Sequence, residues 1–166
     1  MRQYATSTAA GAVRPRAARP QLKRDPLGGI HDYRVTPASG TVQWSDHEPA
    51  IDVRSVEDLD RVLDDITARC RPDRPTIVEL KLGTAKLTLG LGGEQSVVQL
   101  QWSDDPPYRV TVGDQRARGV VAFYLFGEHH TEIPRRNLIP ASTARRITEE
   151  FYVTGRPSGA VSWEDA

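Results

Sequence analysis

Apolar side chains recur along this chain with two different periods, and the change of period marks out its elements. Val56, Leu59, Val62, Leu63 and Ile66 follow one another at helical spacing and form a single apolar stripe. Ser55 ahead of Glu57 and Asp58 predicts where that helix begins. The hydroxyl can satisfy a free backbone N–H, and the acids favour the positive end of the helix dipole. The helix is expected to end before Pro72, which cannot continue it. From Thr76 the period becomes two: Ile77, Glu79 and Lys81 alternate with Val78, Leu80 and Leu82. One face of a strand is then apolar and the other polar, as in a sheet covered by helices on one side only.

Runs of the same texture predict strands over residues 41–44, 76–82, 86–91, 96–102, 108–112 and 119–125. Gly83-Thr84, Gly92-Gly93, Asp104 to Pro107 and Gly113-Asp114 supply the turns between the later ones. Connections this short imply antiparallel neighbours, hence a meander. A second helix is expected near the C-terminus, with Pro140 at its entry and Ser142 or Thr143 as its cap. Ala144, Ile147, Phe151 and Tyr152 form its inward stripe, Gly155 and Pro157 stop it, and Trp163 closes against the sheet. The fold class is therefore α+β: a mostly antiparallel meander of about five to six strands with one helix before it and one after it.

Composition narrows the classes of function. A chain of 166 residues, 38% apolar and 27% charged, suits one domain with a true core. No apolar run reaches the length needed to cross a bilayer. The single cysteine, Cys70, has no internal disulfide partner and is expected as a small buried side chain, so a cytoplasmic setting fits. The net charge of zero is unevenly spread. Six basic residues and no acid stand in the first 24, leaving 16 basic against 22 acidic residues in the remainder. Residues 1–28 read as a disordered basic arm and 29–166 as one acidic domain. That sign opposes direct nucleic-acid binding and suits a basic protein partner.

The densest titratable cluster is Glu128-His129-His130-Thr131-Glu132. On an extended segment Glu128, His130 and Glu132 point to one side, so a small metal-dependent enzyme is one alternative and a solvated turn or edge strand is the other. The lone cysteine lacks an activating setting, no nucleophile elbow occurs, and the glycine-rich 87–93 segment lacks the ending of a phosphate loop. No catalytic residue, cofactor or bound metal is expected. Trp102 followed by Asp104 and Asp105 places aromatic and acidic groups together, as an interface against a basic cleft requires, and Trp44 with Asp46 and Glu48 repeats that chemistry. Trp44 and Trp102 also fit a plain core role at strand ends. Trp102, Asp104, Asp105, Asp114 and Glu128 are the expected partner-binding residues.

The C-terminal sequence carries a more specific signal. Ile139-Pro140, a helix with Glu149-Glu150-Phe151, then Thr154-Gly155-Arg156-Pro157 and Val161-Ser162-Trp163 resemble the ending of immunity protein family one of bacterial polymorphic toxin systems. Arg156 follows Gly155 directly, one residue tighter than the family spacing. Upstream, a helix, Val78-Glu79-Leu80 on the next strand and the glycine-rich 87–93 segment follow the same order, so the resemblance spans residues 41–165. It implies a non-enzymatic antitoxin that binds a cognate toxin inside the producing cell. The resemblance also implies a toxin of the deaminase superfamily, including cytosine deaminases acting on DNA, whose zinc-water pocket would be occluded. A secretion chaperone or regulatory partner of the toxin is a further alternative.

Overall fold

The computed structural model describes residues 39–71, 73–102 and 108–166; the expected basic arm lies outside them. The chain opens with an antiparallel pair, β1 (Gly40–Gln43) and β2 (Ile51–Val53), in which Gly40 faces Val53. Helix α1 (Val56–Arg69) starts where the sequence predicts: the Ser55 hydroxyl accepts a hydrogen bond from the Asp58 backbone N–H at 3.1 Å. Its expected stripe, Leu59, Val62, Leu63 and Ile66, is buried.

Strand β3 (Thr76–Leu82) turns through Gly83, held at φ +59°, into β4 (Ala85–Leu91). Next come a two-residue strand β5 (Gln95–Ser96), then β6 (Val98–Trp102) and β7 (Arg109–Val112). These pair in sequence as antiparallel neighbours, β3 with β4, β4 with β6 and β6 with β7. The meander then breaks. Strand β8 (Val120–Leu125) returns to lie parallel to the first residues of β3, with Thr76 opposite Tyr124 and Ile77 opposite Leu125, and β9 (His129–Pro134) folds back on it. That edge of β3 is open to it because β1 occupies only Glu79, Leu80 and Lys81 of the same edge.

After one 3-10 turn (Arg135–Asn137), β10 (Ile139–Pro140) pairs with β5, and helix α2 (Ala141–Thr154) begins at once. Neither Ser142 nor Thr143 caps it; both lie inside its first turn, and Pro140 holds the cap position without a side-chain bond. The β5–β10 ladder brings the chain to the helix start already anchored, so the Ala141 N–H goes to the Glu94 carbonyl at 2.9 Å. Gly155 ends α2 in the left-handed conformation, φ +63°, its N–H bonded to Phe151. The chain closes as β11 (Ser162–Asp165) along β7, with Trp163 opposite Thr111.

The main sheet thus runs β11-β7-β6-β4-β3-β1-β2, with β8 and β9 attached at β3. Among the described residues it has nine strands against the expected five or six, because β2 and β11 are short and β9, like them at an edge, carries little apolar alternation. The α+β class and the two covering helices stand as read. The principal core lies between the helices and one sheet face, joining Leu59, Leu63, Ile147 and Phe151 to Leu80, Leu87 and Leu100. A second cluster, Ile77, Val97, Val110, Phe123, Ile133 and Leu138, sits where β8 and β9 cross the other face. Gly90 makes room for that crossing: a Cβ there would stand 2.6 Å from the Phe123 ring.

Candidate functional site

The face of the sheet turned away from the helices is the polar half of the alternation. Leu87, Leu89, Val98 and Leu100 enter the helix-side core, so Lys86, Thr88, Gln99 and Gln101 between them line the opposite face. That face is concave. The β8–β9 hairpin forms one wall through Leu125, Thr131, Glu132 and Ile133, while Tyr108, Glu164 and Asp165 from the β7–β11 side form the other. Ile77 and Val110 of the second cluster give the groove an apolar end. The open groove has a volume of about 540 Å³.

Charge in the groove is predominantly negative. Glu79, Glu132, Glu164 and Asp165 line it, against Lys86 and Arg136. Both cations are matched within the protein: Lys86 Nζ lies 3.1 Å from Glu79, and Arg136 Nη2 lies 3.1 Å from Glu164. Glu164 also accepts from Asn137 Nδ2 at 2.7 Å, which ties the last strand to the 3-10 turn. In the floor, Gln101 is only 7% exposed, and among the described residues its buried Oε1 has no hydrogen-bond donor. At the rim, Tyr108 is 37% exposed.

A second polar cluster joins the β1–β2 loop to the β8–β9 turn. Two carboxylate–histidine pairs cross between them, Asp46 with His129 at 2.9 Å and His47 with Glu128 at 3.1 Å. Beside them the Arg74 guanidinium stacks over Tyr124 at 4.4 Å, and Arg69 lies over Trp44 at 5.3 Å. The turn itself is tight: Phe126 and Gly127 both have positive φ, +53° and +76°.

The residues singled out in the sequence are dispersed by this arrangement. Trp102 is half-buried on the helix side, its ring edge-to-face with Phe151 at 6.5 Å. Asp104 and Asp105 lie outside the described residues. Asp114 is exposed in the loop after β7, where its carboxylate accepts from the Arg116 N–H. Glu128 is exposed in the β8–β9 turn, at the opposite end of that hairpin. Glu128 is engaged with His47, and His130 packs edge-on against Tyr124 at 5.6 Å. Among the described residues no three His, Cys, Asp or Glu side chains converge as metal ligands would. Cys70 is half-buried, its thiol bonded to the Ile66 carbonyl and pushed up in pKa by burial.

Sequence reasoning missed the groove residues Thr88, Gln99, Gln101, Glu164 and Asp165. Their one signal was the polar half of the two-residue period, which marks a solvated face without saying that the face is hollow. No helix among the described residues is long and apolar enough to cross a membrane. Compared with known proteins, residues 47–165 match the family described as Immunity protein Imm1. No curated protein matches the chain.

Proposed function

The chain belongs to the immunity protein Imm1 family, and on that basis we propose that it neutralises one cognate toxin by binding it and covering its active site. The observation that carries this reading is the extent of the match, which takes in both helices and every strand except β1. An antidote of this kind needs a complementary surface rather than catalytic groups. The toxin is proposed to be a cytosine deaminase acting on nucleic acid, within the cytoplasm of the cell that makes both proteins. Such an enzyme draws its substrate through a cationic cleft to a zinc-activated water. The excess of acid beyond residue 24 suits that cleft. Trp102, Asp104, Asp105, Asp114 and Glu128 are proposed to meet it.

The test is a titration of the purified toxin encoded beside this protein. Base deamination, read as uracil appearing in DNA, is expected to fall linearly and reach background at one equivalent. A toxin that stays fully active in excess of this protein rules out the antidote, and a bound but active toxin identifies a chaperone instead.

A further inference from the structure

We propose that the groove between β9 and β11 is the seat for a protruding arginine or lysine of the toxin, carried on a loop that enters the concave face of the sheet. The inference rests on the antidote reading above and goes beyond it by naming the surface and the group it receives.

Three properties of the groove converge on that occupant. Its lining acids outnumber its cations, and both cations already have a carboxylate partner, so the excess charge is left to Glu132 and Asp165. Among the described residues Asp165 has one cationic neighbour, Arg109 at 3.8 Å, and is itself largely exposed. Its floor carries an acceptor in want of a donor, Gln101 Oε1, an arrangement that costs stability unless a partner supplies the bond. Its inner end is apolar, with Ile77, Leu125 and Ile133 close to those polar groups. A long cationic side chain answers all three: its methylene stem packs on the apolar end while its head donates to acceptors and carboxylates. Tyr108 at the rim adds the kind of exposed aromatic on which binding energy concentrates. A nucleic-acid enzyme exposes such cations where its substrate enters, so a group seated here would be withdrawn from the phosphate backbone.

The experiment compares single variants of the full chain for toxin affinity by calorimetry and for inhibition. Thr88→Lys places a cation in the floor, and Glu132→Lys reverses an exposed rim acid. Asp65→Lys makes the same charge change on α1, on the far side of the sheet. The groove variants are expected to raise Kd about tenfold or more, and Asp65→Lys to leave it within about twofold. Gln101→Met removes the unmatched acceptor at nearly constant volume. It is expected to raise the Tm of the protein alone by about 2–4 °C while weakening toxin binding, opposite signs that a purely structural role would not produce. If Thr88→Lys fails to fold, Glu132→Lys and Gln101→Met still decide the matter. Groove variants that bind and protect as well as the parent protein, with the parent inhibiting fully, place the contact elsewhere and leave the antidote reading standing. A parent protein that does not inhibit brings down that reading, and this one with it. A dimer of the protein alone that Thr88→Lys dissociates would assign the groove to a second copy and overturn the proposal.

Discussion

Arg145 of α2 donates from Nε to the Asp60 carboxylate of α1 at 2.8 Å and from Nη2 to the Asp60 backbone carbonyl at 2.6 Å. The two covering helices are thereby fixed to one another over the sheet, since the same guanidinium also lies 3.1 Å from Asp64 and 3.5 Å from Glu149. Removing it leaves three carboxylates facing one another. Arg145→Ala is expected to cost about 1–3 kcal/mol, read as a lower urea midpoint at unchanged slope. Arg145→Lys is expected to recover less than half of the loss, because an ammonium cannot reproduce the planar fork.

Glu149 in the same cluster gives a pH dependence. Burial pushes its carboxyl above the ordinary carboxylate value of 4.5, Asp60 adds to the rise, and Arg145 opposes it. A carboxyl raised in the folded state binds its proton more tightly there than in the unfolded chain. Its contribution is favourable at low pH and is lost as pH climbs from 4.5 through the raised value. Glu149→Gln is therefore expected to match the parent near pH 4 and to exceed it at pH 7, by less than ~1 kcal/mol because solvent reaches the group. Thermal melts at the two pH values check this; a variant less stable at pH 7 would mean that the attraction of Arg145 prevails.

Phe126 offers a local test of strain. It is the one described residue other than glycine with positive φ, and in the three-residue connection between β8 and β9 it is the first central residue of the turn closed by the Glu128 N–H on the Leu125 carbonyl at 3.1 Å, with Gly127 following in the same region. Turns of this hand favour Asn at the first position. Phe126→Asn is expected to stabilise the protein by about 1 kcal/mol, measured by denaturant unfolding. A loss of stability instead would show that the half-buried ring contributes more by packing than its backbone costs.

The acids between Trp102 and Tyr108 are among the residues proposed to meet the toxin. Asp104→Lys combined with Asp105→Lys is expected to slow toxin association several-fold at low salt, with a smaller effect at high salt, and to leave Tm nearly unchanged. Stopped-flow binding at two ionic strengths measures it. Equal rates at both would remove these two residues from the contact.

The elements legible in the sequence were those whose own residues carry the signal. Ser55, Gly155 and the stripes of α1 and α2 are local, and they fall where expected. Thr76 to Leu82 alternates so regularly that its bounds and its two faces were both readable. The return of β8 to β3 was not, because nothing in Val120 to Leu125 says which partner it takes; that is decided by the length of β3 edge that β1 leaves unpaired. The hollow face follows from that return, so Gln101 and Glu164 could not be recognised as neighbours across a groove. The run from Glu149 to Trp163 was legible twice over, as a helix stop and as a family likeness. Its aromatic residues serve the fold: Phe151 is buried in the helix-side core, and the Trp163 indole donates to the Ser158 carbonyl at 2.9 Å.

The attachment of β8 to β3 has a mechanical consequence. The hairpin that walls the groove is hydrogen-bonded to the sheet through two residue pairs and the bonds beside them, Tyr124 N–H to Pro75, Phe126 N–H to Ile77 and Thr76 Oγ1 to Tyr124, and is otherwise held by the burial of Phe123 and Ile133 in the second cluster. A flap on so short a seam opens at lower free energy than the sheet as a whole, and its amides would exchange with deuterium ahead of those in β4 and β6. The crossed pairs of Asp46 with His129 and His47 with Glu128 lie at its tip, where they act as a clasp. Release of that clasp would be expected to widen the cleft from the β9 side, since β11 is paired to β7 along all four of its residues.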